Sequence, residues 1–311
     1  MKHNLKITII LLSMFIFTQF IGLYVVDHYS NVKIINGKIQ NVTAPKLPLG
    51  LEIPQVQSES DYTSLFYDLI LAFIIAVSLL FVLTRFKAAF ILKAWFFVVV
   101  IMALTVFFNA IVPEFKYMLF FIVLLSIILA YIKIYKRNLL IHNLTELAIY
   151  PGIAAVFVPI LSLFWLMVLL ILISLYDMWA VWHSKVMQKM AMYQINELNI
   201  FSGFFFPYLS KQMKEKLKKL RKSSKLKVKL KGKKIRANVA ILGGGDIIFS
   251  IISAGVMLKT LGLVPALLVV LGATAGLSYL MFYAEKKKFY PAMPFISAGI
   301  FIAILLSYLI F

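Results

Sequence analysis

The sequence predicts an all-α polytopic membrane protein of nine transmembrane helices, N-terminus cytoplasmic and C-terminus outside. Three observations carry that expectation. Of 311 residues, 62% are hydrophobic and only 14% are charged, far from the composition of a soluble domain. Apolar runs of the length a helix needs to cross a bilayer, about 17 to 25 residues, recur along most of the chain, separated by charged or Pro/Gly-bearing breaks. The Lys and Arg residues sort onto alternate sides of those runs, as an excess on cytoplasmic loops requires.

Taken in order, the first run, Ile7 to Val26, follows Lys2 and Lys6 as a signal peptide would. It is long and no small-residue cleavage pattern follows, so it reads as a retained helix. The loop from Asp27 to Tyr62 is rich in polar residues and proline (Pro45, Pro48, Pro54) and reads as a flexible cap or a substrate-sorting surface. Within it, Asn41-Val42-Thr43 fits the glycosylation acceptor pattern, a motif with many false positives. Further spans are expected over Ser64–Thr84, Ala94–Val112, Tyr117–Ile132 and Leu147–Leu163. The sixth follows almost at once, Phe164–Trp182; between Leu147 and Tyr176 there is no charge, and only Pro159 and Ser162 signal the turn. After a long basic segment come Ala237–Leu258, Leu261–Ala284 and a ninth span from Phe289 to the end. Three parts result: 1–182, 183–236 and 237–311.

With nine spans, all but five of the 32 basic residues fall on the side of the N-terminus; the exceptions are Lys33, Lys38, Lys46, Lys116 and Lys259. The formal net charge of +20 is thus topological, and no nucleic-acid partner is expected. The segment from His183 to Arg236, rich in Lys and Arg against only Glu197 and Glu215, is expected to lie against anionic lipid, each basic residue contributing about 1 kcal/mol near the surface. Its stretch Met187–Leu220 mixes Met, Phe and Leu with Lys and reads as an interfacial or partly re-entrant helix. From Lys225 the chain reads KLKVKLK, in which Leu226, Val228 and Leu230 alternate with lysine in the period of a strand. Such a strand at the cytoplasmic mouth could pair with an unwound substrate; the alternative is a disordered polybasic tether.

The chemistry that composition excludes is broad. Cysteine is absent, which removes disulfides, thiolate metal sites and a cysteine nucleophile. The four histidines, His3, His28, His142 and His183, are scattered and form no metal-binding pair, so no cofactor or metal is expected.

Most of the 12 acidic residues fall in loops, and Asp68 and Glu146 are expected near span ends where water is close. Asp177, in LISLYDMWAV, and Asp246, in AILGGGDIIFS, fall inside apolar runs. A carboxylate there costs about 2.5 to 3.5 kcal/mol on insertion scales and by default marks a functional site. The assigned boundaries place Asp177 ~9 Å and Asp246 ~13 Å from the same cytoplasmic end. Consecutive helices are commonly neighbours, so a facing pair is natural. Two closely placed carboxylates share a proton, which equips them as acid and base for adding water to a peptide carbonyl.

At these residues the sequence resembles the presenilin and signal peptide peptidase family of intramembrane aspartyl proteases, above all its archaeal members. The family's YD, GxGD and PAL motifs correspond to Tyr176-Asp177, Gly243-Gly244-Gly245-Asp246 and Pro291-Ala292-Met293, in the sixth, seventh and ninth spans. Met293 stands where the family usually has Leu, a volume-conserving difference. The resemblance covers essentially the whole chain. It implies an endopeptidase acting within transmembrane protein substrates in an archaeal cell membrane, with Asp177 and Asp246 catalytic. It also implies that Tyr176, the three glycines and the PAM residues shape the site and its substrate channel. From the residues alone, the glycines read equally as a packing surface in a helix, and Pro291 and Pro294 as a helix start. Two other readings remain open at this point: a prepilin-type peptidase, which also uses a GxGD aspartate, and a transporter that couples ions through paired carboxylates.

Overall fold

The computed structural model describes residues 5–30, 32–35, 38–41, 45–52, 54, 56, 58–86, 88–113, 115–136, 138–184, 202–208, 238–284 and 290–310. Among them are nine helices long and apolar enough to cross a membrane. They are α1 (Leu5–His28), α2 (Glu59–Arg85), α3 (Ala89–Ile111), α4 (Met118–Tyr135), α5 (Leu139–Phe157), α6 (Leu163–Trp179), α7 (Gly244–Leu261), α8 (Leu263–Tyr283) and α9 (Met293–Ile310). A short 3-10 turn, Val158–Ile160, ends the α5 span, and a π turn, Ala180–Ser184, extends α6.

Local chemistry sets several starts. Ser58 caps α2 in a capping box, its own amide donating to Asp61 Oδ2 at 2.9 Å. Asn138 Oδ1 accepts the amides of Leu140 and Ile141 at the head of α5. Ser162 Oγ accepts the Trp165 amide, so the turn expected from Pro159 and Ser162 is where α5 ends and α6 begins.

The core is built around α1, α5 and α7, which pack on one another and bury Leu11, Phe15, Tyr150, Ala154, Ile247 and Ile251 completely. α3 and α4 flank α5, and α8 and α9 flank α7. α8 and α9 approach to backbone contact: a side chain on Gly272 or Gly276 would run into the main chain of Gly299 or Phe295. These two glycines lie four apart, the small-residue spacing that lets membrane helices touch. The lock fixes where α9 begins relative to its neighbours.

α2 is peripheral, with Phe66 its one buried residue. Its second half packs Leu80 and Leu83 against Leu92 of α3 and Ile134 of α4, and its first half is held by specific contacts. There Phe66 stacks on Trp165 at 4.4 Å, and Trp165 Nε1 donates to Thr63 Oγ1 at 3.3 Å. Lys259, in the last turn of α7, donates to Tyr62 Oη at 3.0 Å and to the Pro159 and Leu161 carbonyls at 3.3 Å. One ammonium thus ties α2, α7 and the α5–α6 connection.

Two small antiparallel sheets join the helices. In the loop after α1, expected as a flexible cap or a substrate-sorting surface, β1 (Val32–Ile35) pairs with β2 (Lys38–Asn41). The second sheet changes more. β3 (Gly203–Tyr208) pairs with β4 (Asn238–Gly243), Gly203 opposite Gly243 and Tyr208 opposite Asn238. β3 falls inside Met187–Leu220, so residues 203–208 are strand and not the interfacial helix expected there. The run from Asn238 is likewise strand, and α7 starts at Gly244, seven residues later than the expected Ala237. The reason is legible in hindsight: Ala240 and Leu242 are buried while Ile241 between them is 39% exposed, the period of two that marks a strand. Leu226, Val228 and Leu230 lie outside the described residues.

Candidate active site

Asp177 sits in the last turn of α6, 7% exposed. Its carboxylate is met by the start of α9, where the Met293 amide donates to Asp177 Oδ2 at 3.1 Å and the Ala292 amide lies alongside. The first amides of a helix have no partner within it, so a carboxylate there is a natural acceptor. Pro291 precedes that turn and Pro294 lies in it, and neither could donate; the free amides are therefore those of Ala292 and Met293. One turn deeper, Ser174 Oγ donates to Ser297 Oγ at 3.0 Å and joins the same two helices.

Asp246 has a different setting. It is the third residue of α7, whose N-cap is Gly243. The glycines therefore do not lie in the middle of a membrane helix as expected: Gly243 ends β4 and caps α7, Gly244 and Gly245 open α7, and the helical depth assigned to Asp246 does not apply. Each glycine has its own surroundings. A side chain on Gly244 would press on Ser202 Oγ and Tyr150 Oη, at 2.5 and 2.8 Å from its first carbon. Beside Gly245 nothing lies within 4 Å among the described residues, whereas a side chain on Gly243 would meet Asp246 Oδ2 at 3.0 Å, so the carboxylate lies against Gly243. On the far side, Gln19 Nε2 of α1 donates to the Ile247 carbonyl at 3.3 Å, and Ser250 Oγ donates to the Asp246 carbonyl at 2.7 Å.

The two carboxylates come to the same end of the bundle, Asp177 in the last turn of α6 and Asp246 in the first turn of α7, two helices that pack on each other. Met293 meets Asp177 through its amide and Gly243 adjoins the Asp246 carboxylate, whereas Tyr176 is 41% exposed with its ring 6.4 Å from that of Trp179. Among the described residues no group of His, Asp and Glu could hold a metal ion.

Sequence reasoning missed a third buried carboxylate. Glu146 is 1% exposed and paired with Lys133 at 2.6 Å, not near water at a span end. The error came from placing helix boundaries at charges: Lys133 lies within α4 and Glu146 two turns into α5, where each makes the other tolerable. Their separation gave a signal, because α4 and α5 are joined by a short turn that brings residues 133 and 146 to one level.

A nine-helix membrane bundle with two aspartates at one end defines a class, the polytopic aspartate-bearing membrane proteins. The family profile described as signal-peptide peptidase, presenilin aspartyl protease matches residues 38–311, and the chain belongs to that family. It is an aspartyl protease built from membrane-spanning helices. Two solved structures, both of a presenilin family intramembrane aspartate protease, have the same fold. The C222 crystal form gives a TM-score of 0.60 at 17% identity, covering 98% of this chain and 99% of that one. The P2 form gives 0.59 at 17%, covering 97% of each. No curated protein matches the chain. The resemblance stated from the motifs therefore holds at the level of family and fold.

Proposed function

We propose that Asp177 and Asp246 form the catalytic dyad of an endopeptidase that cleaves transmembrane segments of other membrane proteins. The observation that carries the reading is their placement at one end of the bundle, Asp177 held by the Met293 amide and Asp246 with its carboxylate against Gly243 at the strand-to-helix junction. The pair shares one proton. The charged carboxylate takes a proton from a water as its oxygen attacks the scissile carbonyl, and the protonated one hydrogen-bonds the carbonyl oxygen. The tetrahedral intermediate then collapses: the C–N bond breaks, a proton reaches the leaving amine, and the products are a carboxyl and an amine terminus. Met293, through its amide, and the glycine junction position the two groups. Tyr176, exposed beside Asp177, is proposed to contact substrate.

A helical peptide bond is closed to such attack, and the β3–β4 sheet offers a way to open it. Phe205 directs its backbone groups away from β4, as its bonds to Asn143 require. In an antiparallel ladder its partner Ile241 then also points outward, on the other edge, and so does Val239. We propose that an extended substrate segment adds to this edge of β4, which runs directly into Gly243 and Asp246. The KLKVKLK segment is a second candidate for the same role. The N-terminus is proposed to be cytoplasmic, with the basic segment 183–236 against anionic lipid.

The test is cleavage of a reporter transmembrane peptide by the purified chain in liposomes, with product masses read directly. Cleavage within the apolar segment, lost in Asp177→Asn and in Asp246→Asn, is expected. Cleavage that persists in either variant contradicts the dyad.

A further inference from the structure

The first face of α5 is unusually polar for a membrane helix, and the reaction just described uses none of it. His142, Asn143 and Glu146 all turn toward β3. The Asn143 side chain makes two hydrogen bonds to one residue: Nδ2 donates to the Phe205 carbonyl at 2.9 Å, and the Phe205 amide donates to Oδ1 at 3.0 Å. A primary amide in that pose reproduces what a neighbouring strand would offer. Two residues earlier the pattern continues. His142 Nε2 lies 2.9 Å from the Gly203 carbonyl, which only accepts, so Nε2 carries the proton and Nδ1 is left to accept from Lys133 Nζ at 3.3 Å. The Gly203 amide points at Glu146 Oε1, at 3.5 Å.

Two residues later, at the third outward-facing position, stands Pro207, which has no amide to offer. The outer edge of β3 is therefore occupied at Gly203 and Phe205 and lacks a donor at Pro207. Of the two edges of this sheet, the one on β3 is closed, and no described residue pairs with the one on β4. The closed edge also sets position. Gly203 is the partner of Gly243, the residue that caps α7 three residues before Asp246. Holding β3 to α5 thus fixes β4, and with it the height of any added strand relative to Asp246.

We propose that Asn143, backed by His142 and Glu146, is a positioning residue that acts as a surrogate strand on β3 and so determines which peptide bond of a substrate is cut. The inference rests on the protease reading and on addition of substrate to β4. When the clamp is released, β3 and β4 gain freedom to shift along α5, and the substrate register loosens with them. A shift by two residues keeps every side chain on its face, so it is the smallest change of register that burial permits.

The experiment compares the full-length chain with Asn143→Ala, Asn143→Asp and Leu144→Ala in liposomes. Asn143→Asp keeps the acceptor for the Phe205 amide and loses the donor to its carbonyl; Leu144 is the exposed neighbour and serves as control. Product masses give the cut site, and amide hydrogen exchange gives the protection of Phe205. Both Asn143 variants are expected to change the ratio of neighbouring products by about fivefold, the scale of one ordinary hydrogen bond, and to speed exchange at Phe205 to a similar degree. The Leu144 variant should match wild type in both. A purely structural role for Asn143 would lower the folded fraction and the total yield and leave the product ratio unchanged, and that result overturns the proposal. Should wild type cut nothing, the protease reading fails and the cut-site claim with it, while exchange still decides on the clamp: equal rates at Phe205 in wild type and variants show that it does not hold.

Discussion

The two carboxylates are held by opposite means. Asp177 ends a regular helix and is fixed by a donor from elsewhere, the Met293 amide at the head of α9. Asp246 begins a helix and is fixed by its own chain, through the strand-to-helix junction at Gly243 and Gly244. The first arrangement depends on how α8 and α9 lock together; the second depends on how β3 and β4 sit against α5. If the proposed dyad is assembled from two independently supported halves, it can be disturbed from either side without touching a carboxylate, and the two sides should fail differently.

The largest expected effect short of removing a carboxylate is on the Asp177 side. Met293→Pro deletes the donor amide at a position in the first helical turn, where proline is otherwise tolerated. Turnover is expected to fall by about a hundredfold, the low end of what positioned acid–base groups contribute. Met293→Leu, which keeps both the amide and the volume, should stay within about twofold of wild type in the same assay. Equal losses in the two variants would mean that the Met293 side chain and not its amide matters.

On the Asp246 side the glycines separate fold from function. Gly244→Ala meets Ser202 and Tyr150 and should cost about 1 to 3 kcal/mol, the usual range for overpacking, seen as a lowered Tm together with reduced cleavage. Gly245→Ala has open space and gains helix propensity, about 1 kcal/mol. It should leave Tm equal or higher and change only kcat/KM, since Gly245 is the exposed residue of the junction next to Asp246 in the chain. A fall in Tm for Gly245→Ala would show that the junction is crowded on both sides.

The smallest effect concerns the clasp that accompanies Asp177. Ser174→Ala removes one hydrogen bond between α6 and α9, a contribution of about 0.6 kcal/mol in membrane bundles. Turnover is expected to drop no more than about threefold, with the product pattern unchanged. A larger loss would promote the serine pair from clasp to part of the site.

The same contrast explains what the sequence made legible. The nine spans, their order and the family could be read because apolar length and three short motifs are local properties, and the Asp177 half lies on such elements. The Asp246 half could not be read fully. Charge was taken to end a span, which hid the buried Lys133–Glu146 pair inside α4 and α5. An apolar run was taken as helix, which hid β4: NVAILG is as hydrophobic as a helix start, and only its alternate burial, fixed by packing on β3 and α5, distinguishes it. The role of Asn143 was invisible for the same reason, since it depends on a backbone some 60 residues away in sequence.

The central claim is that Asp177 and Asp246 act as one unit. The direct measurement is residual turnover of a reporter transmembrane peptide by Asp177→Asn, Asp246→Asn and the double variant, each checked for intact folding. Groups that act together lose their whole effect at the first substitution. The account predicts that the double variant is no less active than either single one. Losses that multiply, or a single variant that retains near-normal turnover, would contradict it.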